Sequence, residues 1–186
     1  MKRIFLSDAH LTGLDDPNQG ILVGFLRQVD ADEIYFLGDI FHFWWGRRGH
    51  RDSNYEPFLS VLEELSRAGK SLFWVRGNHD FRLGPLIEEE IGVTVSDAIS
   101  VHFLGRSTLL VHGDEADRSF GYRLTKKVLR GRAFAGLMAV LGPRYGDRFG
   151  RALAGASRHG SGVDTALLSA QSRWAEEQFA QGVELV

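Results

Sequence analysis

Three short apolar runs, Lys2–Ser7, Glu33–Leu37 and Ser71–Val75, alternate along the first 75 residues with two stretches of helical periodicity. Residues 20–29 carry apolar side chains at 21, 22, 25, 26 and 29, and Glu56–Ala68 aligns Phe58, Leu59, Val61, Leu62 and Leu65 on one stripe. Gly69 suits the C-cap of the second helix. A β-α-β-α-β order leaves few solutions, because parallel strands need long crossovers and bury both faces under helices. Shorter β-like runs follow at 93–95, 99–104 and 108–111, the last two joined at Gly105–Arg106–Ser107. Residues 118–131 and 133–154 read as basic helices, with a break at Gly142–Pro143, and 164–181 as a final helix. The closing GVELV reads as the beginning of a strand.

Each predicted strand ends in residues that bind metals. The first runs into Asp8-Ala-His10, the second into Gly38-Asp39, the third into Gly77-Asn78-His79-Asp80, and the run ending at Val111 into His112-Gly113-Asp114. A lone Gly-Asp is more often a turn than a ligand pair, and any one cluster is weak evidence. Four in order are not, because the carboxyl ends of strands in an open α/β sheet share one edge, where ligands bind.

The donor set limits the chemistry. Aspartates, imidazoles and an asparagine oxygen mix hard and borderline donors, suiting Mn²⁺, Fe²⁺ or Zn²⁺ better than Ca²⁺. Asp8 and His10, read as an i, i+2 pair on an extended segment, point the same way and grip one ion. Asn78 and His112 serve a second, and Asp39 can bridge the two, an arrangement suited to clamping a phosphoryl group and activating water. Asp80 is expected to orient a neighbouring ligand.

Taken together, Asp8-X-His10, Gly38-Asp39, Gly77-Asn78-His79-Asp80 and His112-Gly113 resemble the ordered motifs of the calcineurin-like metallophosphoesterases. The resemblance implies an α/β fold: a four-layer metallophosphoesterase β-sandwich flanked by helices, here with an inserted basic helical cap. It implies a core of residues 1–117 and 160–186, with the cap at 118–159. It also implies two divalent metal ions, with Asp8 and His10 on the first, Asp39 bridging, and Asn78 and His112 on the second. His79 would contact the phosphate or protonate the leaving oxygen, so His79 and Asp39 are the expected catalytic pair. The Gly-His-X-His motif that closes the family pattern does not occur in the 186 residues. Val183–Val186 reads as the strand that would lead into it, and we expect the motif beyond that point.

Charge and apolar pattern bear on the substrate. Residues 118–159 hold ten Lys and Arg against one acid, Asp147, whereas residues 1–117 hold 19 acids against 11 bases. Such asymmetry points to an anionic partner, although a solvated basic helix face is the plainer explanation. The same segment interleaves Leu124, Val128, Leu129, Phe134, Leu137 and other apolar residues at helical spacing. A basic helix with an apolar face suits an anionic lipid surface or a lipid phosphate, and core packing of a helical hairpin accounts for the apolar face equally well. Phe41, Phe43, Trp44 and Trp45, in the run IFHFWWG after Asp39, are expected on a loop at the edge of the site, with some of them capping the core.

The run from Gly38 to Trp44 and the basic segment after His112 are similar to a subfamily of peripheral-membrane pyrophosphatases acting on a UDP-linked acylated sugar, usually with Mn²⁺. That resemblance implies cleavage to UMP and the acylated sugar 1-phosphate, with Asn78, His79, Asp117, Tyr122 and Arg123 near the sugar and phosphate. It places the protein in the cytoplasm, peripheral on the inner membrane. One position departs: that subfamily has arginine where this chain has His79. Two alternatives therefore stand: a phosphodiesterase or nuclease of the same superfamily, and a metal-deficient binding scaffold. Helically spaced apolar residues disfavour nucleic acid, which prefers exposed aromatic platforms. No protein partner is inferred. With 44% hydrophobic residues and no cysteine, the chain can bury a sizeable core without disulfides or thiolate metal sites. The N-terminal apolar run is too short for a signal peptide or a membrane span.

Overall fold

In the computed structural model the first three apolar runs become β1 (Arg3–Leu6), β2 (Glu33–Phe36) and β3 (Ser71–Val75), each within a residue or so of its expected bounds. The structure describes residues 1–80, 82–116 and 165–186, with isolated positions between 124 and 140. It divides into two compact units, Met1–Ser96 and Asp97–Val186.

The first unit is a four-stranded parallel sheet in the order β1-β2-β3-β4, with β4 at Thr94–Ser96. Arg3 pairs with Glu33 and Glu33 with Ser71, so the first three strands start level and their carboxyl ends lie together. The crossovers are α1 (Pro17–Gln28) and α2 (Glu56–Arg67). Asp16 caps α1 by accepting from the Asn18 N–H, and Pro17 fills the first turn, where a missing donor costs nothing. The five apolar residues expected on the α2 stripe are all buried, and Gly69 follows the helix at φ 77°.

Alternation along β2 divides the sheet's two faces. Ile34 and Phe36 join the core with Phe41, Phe58 and Trp74, where the Phe41 and Trp74 rings stack at 5.6 Å. Tyr35, facing away, stacks between Phe5 at 5.1 Å and Phe73 at 4.6 Å.

The aromatic run after Asp39 is irregular and lies against His79 at the edge of the site, as expected, with its rings more buried than expected. Phe41, Phe43, Trp44 and Trp45 are all buried. The segment runs beside residues 79–84: the Trp44 N–H donates to the His79 carbonyl (3.1 Å), the Gly46 N–H to Arg82 (2.9 Å) and the Trp44 indole to Leu83 (2.9 Å). Phe41 and Trp44 join the core cluster, and the same segment sets the His42 carbonyl 2.7 Å from the His79 ring.

In the second unit, β5 (Ile99–Phe103) and β6 (Arg106–Leu110) form an antiparallel hairpin. Its turn is Leu104–Gly105, both left-handed at φ 51° and 78°, starting one residue before the expected Gly105–Arg106–Ser107 turn and sharing Gly105 with it. The last helix, α3, spans Thr165–Ala180. The expected terminal strand is a short parallel bridge, with the Leu109 N–H donating to the Leu185 carbonyl at 2.8 Å. Most of the expected cap, 118–159, lies outside the described residues. Among the described residues no helix is long and apolar enough to cross a membrane.

Candidate metal centre

Level parallel strands deliver Asp8 and His10 after β1, Asp39 after β2 and Asn78, His79 and Asp80 after β3 to one edge of the sheet. Backbone hydrogen bonds then tie the loops together: Asp8 N–H to Gly38 O (3.2 Å), His10 N–H to Asp39 O (3.0 Å) and Leu11 N–H to Ile40 O (2.8 Å). Asp8, His10 and Asp39 adopt left-handed backbone at φ 55°, 46° and 54°. Non-glycine residues hold that conformation at a cost of ~1–3 kcal/mol each, and such strain gathers at functional sites. The finding corrects the extended i, i+2 geometry expected for Asp8 and His10. The pair still faces one place, because tight turns redirect both side chains.

Their side chains converge on the Asp39 carboxylate, which is only 3% exposed. His10 Nε2 lies 3.8 Å from Asp8 Oδ1 and 4.0 Å from Asp39 Oδ2. His79 Nε2 lies 3.8 Å from the same Asp39 oxygen. These gaps are too long for hydrogen bonds but fit ligand atoms around a shared ion ~2.0–2.2 Å from each. The donors of Asp8, His10 and Asp39 thus fit a divalent metal in both chemistry and spacing.

The surrounding backbone fixes that geometry. Asp39 Oδ1 accepts from the His79 N–H at 3.0 Å. A Cβ on Gly77 would lie 2.1 Å from Asp39 Oδ1 and 2.6 Å from the Asp39 nitrogen, so only glycine leaves the carboxylate its place. Asp80, fully buried, accepts from the N–H groups of Gly77 (2.9 Å), Asp39 (3.2 Å) and Ile40 (2.9 Å), clamping two ligand loops from one carboxyl. Burial, followed by the Asp39 charge, pushes the Asp80 carboxyl up to about 6 against the opposing pull of those three donors. Its expected part as an orienting group corresponds to these bonds.

His79 Nδ1 lies 2.7 Å from the His42 carbonyl. A carbonyl only accepts, so Nδ1 carries the proton and Nε2 is the nitrogen turned toward Asp39. Asn78 is exposed on the same loop. His112 is half-buried two residues after the end of β6 in the second unit. Asp117, Tyr122 and Arg123 lie outside the described residues.

Sequence reasoning missed His42. Its ring nitrogen and those of His10 and His79 all lie within 4.8 Å of one another. The signal was its place as the one polar side chain in IFHFWW, a run read only for its aromatics.

Residues 1–138 match the profile of the Calcineurin-like phosphoesterase family. A UDP-2,3-diacylglucosamine hydrolase of Vibrio vulnificus is 32% identical over 121 residues, covering 61% of this chain and 48% of the relative. Proteins of the same name from Chromohalobacter salexigens and Porphyromonas gingivalis are 38% identical over 117 residues and 33% identical over 153. The first pairing covers 61% of this chain and 47% of the relative, the second 77% and 58%. The chain spans about half the length of the curated relatives it matches.

Proposed function

The chain belongs to the calcineurin-like phosphoesterase family, and from that premise we propose that it hydrolyses the pyrophosphate bond of UDP-2,3-diacylglucosamine to UMP and 2,3-diacylglucosamine 1-phosphate. The observation that carries a hydrolytic reading is the buried Asp39 carboxylate, with one oxygen flanked by imidazole nitrogens of His10 and His79. The substrate rests on the names of the relatives and on the sequence of residues 118–159, basic with interleaved apolar residues.

In this reading Asp8, His10 and Asp39 hold one divalent ion, and Asp39, Asn78 and His112 a second, with Mn²⁺ the expected metal. Such ions, when bound, supply Lewis acidity toward phosphoryl oxygens and make water acidic enough to attack near neutral pH. The protein does the rest. Gly77 and Asp80 hold Asp39 in position before substrate arrives, so little reorganisation is needed during reaction. His79, its tautomer set by the His42 carbonyl, presents Nε2 where it can contact the phosphate and hold a proton for the departing oxygen. Asn78 contributes its exposed amide to the phosphate. Asp117, Tyr122 and Arg123 meet the sugar and phosphate, while the apolar face of 118–159 meets the acyl chains. The basic face of that segment would rest on the anionic inner membrane from the cytoplasmic side.

Products separate the readings. With Mn²⁺ the protein is expected to release UMP from UDP-2,3-diacylglucosamine and to leave oligonucleotides intact, as read by mass spectrometry. Brisk cleavage of oligonucleotides without UMP release supports a nuclease, for which histidine at position 79 in place of arginine is the favouring observation. A scaffold shows neither activity and no bound transition metal.

A further inference from the structure

We propose that His10, His42 and His79 form a three-imidazole site for one zinc-class divalent cation, and that filling it excludes the Mn²⁺-type arrangement on Asp8, His10 and Asp39. The consequence for hydrolysis rests on the function proposed above; the binding site itself does not.

The three histidines come from three loops whose backbones are already joined. His10 N–H donates to Asp39 O (3.0 Å), His42 N–H to Leu11 O (2.9 Å) and Trp44 N–H to His79 O (3.1 Å). Their rings converge: His10 meets His79 edge-on at 5.0 Å and His42 at 6.4 Å, and His42 lies over His79 at 5.5 Å. One ring nitrogen from each falls within 4.8 Å of the others. Zinc–nitrogen bonds of ~2.0–2.1 Å place tetrahedral ligands ~3.4 Å apart, so the three nitrogens, now within 4.8 Å of one another, draw closer when an ion binds.

An independent feature agrees. A metal-binding histidine usually gives its second ring N–H to a carbonyl or carboxylate, which fixes the ring and raises its basicity. His79 does so through Nδ1 and the His42 carbonyl at 2.7 Å. It is therefore posed as an Nε2 ligand.

Donor chemistry separates the two arrangements. Neutral imidazoles favour Zn²⁺, Ni²⁺ or Cu²⁺, whereas a carboxylate-rich set suits Mn²⁺. His10 belongs to both sets, and the His79 Nε2 that would ligate zinc is the atom proposed to face the phosphate. A zinc-class ion would thus remove a ligand from the reactive centre and a proton carrier from the substrate. Excess zinc is expected to inhibit by ligand theft, without touching the substrate's sugar or lipid.

X-ray absorption on the wild-type protein loaded with one equivalent of Zn²⁺ tests the site directly. Three imidazoles on the ion are expected; an oxygen-rich shell with one imidazole overturns the proposal. In parallel, His42→Asn, with His42→Gln as a second variant, is expected to weaken Zn²⁺ binding at least ~10-fold, the lower end of what loss of even a supporting partner costs. Mn²⁺ affinity should change far less. Unchanged Zn²⁺ affinity in the folded variants overturns the proposal. If the three-imidazole signature stands while Mn²⁺-loaded protein releases no UMP, the proposed substrate fails and the zinc site survives.

Discussion

Gly77 is a residue whose missing side chain has a use. The space its Cβ would take is occupied by Asp39 Oδ1 and the Asp39 nitrogen. Gly77→Ala should therefore displace Asp39 and weaken Mn²⁺ binding by at least ~10-fold, as disturbed support of ligands generally does; isothermal titration checks this. Asp80 acts through three buried N–H donors. Asp80→Ala leaves all three without their acceptor, at ~1–3 kcal/mol for each unsatisfied group, so a loss of ~3 kcal/mol or more is expected in urea unfolding. That Asp8, His10, Asp39 and Asn78 offer donors of metal-binding type at strand ends was legible because residue chemistry survives any local geometry. The left-handed turns at Asp8, His10 and Asp39 were not. They arise from three loops packed together, and nothing in Ser7-Asp8-Ala9-His10 alone disfavours an extended chain.

At the scale of elements, α2 joins the core through Phe58, Leu59, Val61, Leu62 and Leu65. Leu62, fully buried, should cost ~2–5 kcal/mol when truncated to alanine, read as a lowered denaturation midpoint. The outer face of α2 carries a charge network. Arg51 hydrogen-bonds both Glu56 (2.6 and 2.8 Å) and Glu63, and Arg67 bonds Glu63 at 2.9 Å. Hydrogen bonds from Arg51 hold both carboxyls below the ordinary carboxylate range. Carboxyls with depressed folded-state pKa stabilise the fold above their unfolded pKa of 4.5, and that stability is lost as pH falls through the folded value. The wild type should therefore exceed Arg51→Ala in stability by ~1 kcal/mol or less at pH 6, since the groups are partly exposed, and the gap should close on acidification below 4.5. Thermal unfolding of both proteins from pH 3 to 7 reads this out. The helices α1 and α2 were legible because an apolar period runs through each for ten or more residues, and β1 to β3 because each is a short apolar run bounded by polar or turn residues. How many of the IFHFWWG rings are buried was not, because burial of an aromatic run depends on its partner segment, here His79, Arg82 and Leu83.

For the whole molecule, the order of motifs mattered more than any one of them. Four strand ends carrying ligand residues over about a hundred positions implied convergence, and the sheet register of the first unit places Asp8, His10, Asp39 and His79 within reach of one another. His42 escaped because its proximity to His10 and His79 is made by the segment after Asp39 running parallel between the loop at Leu11 and the stretch at His79 and Arg82, which no spacing rule encodes. The proposed metal-dependent pyrophosphatase activity of this constellation depends on one carboxylate, that of Asp39. The direct measurement is UMP release from UDP-2,3-diacylglucosamine across a Mn²⁺ titration, comparing wild type with Asp39→Ala. Mn²⁺-dependent release by the wild type, abolished by chelation, is expected, with none from the variant at any Mn²⁺ concentration. Release at equal rates from both proteins, or from the wild type after metal removal, would contradict it.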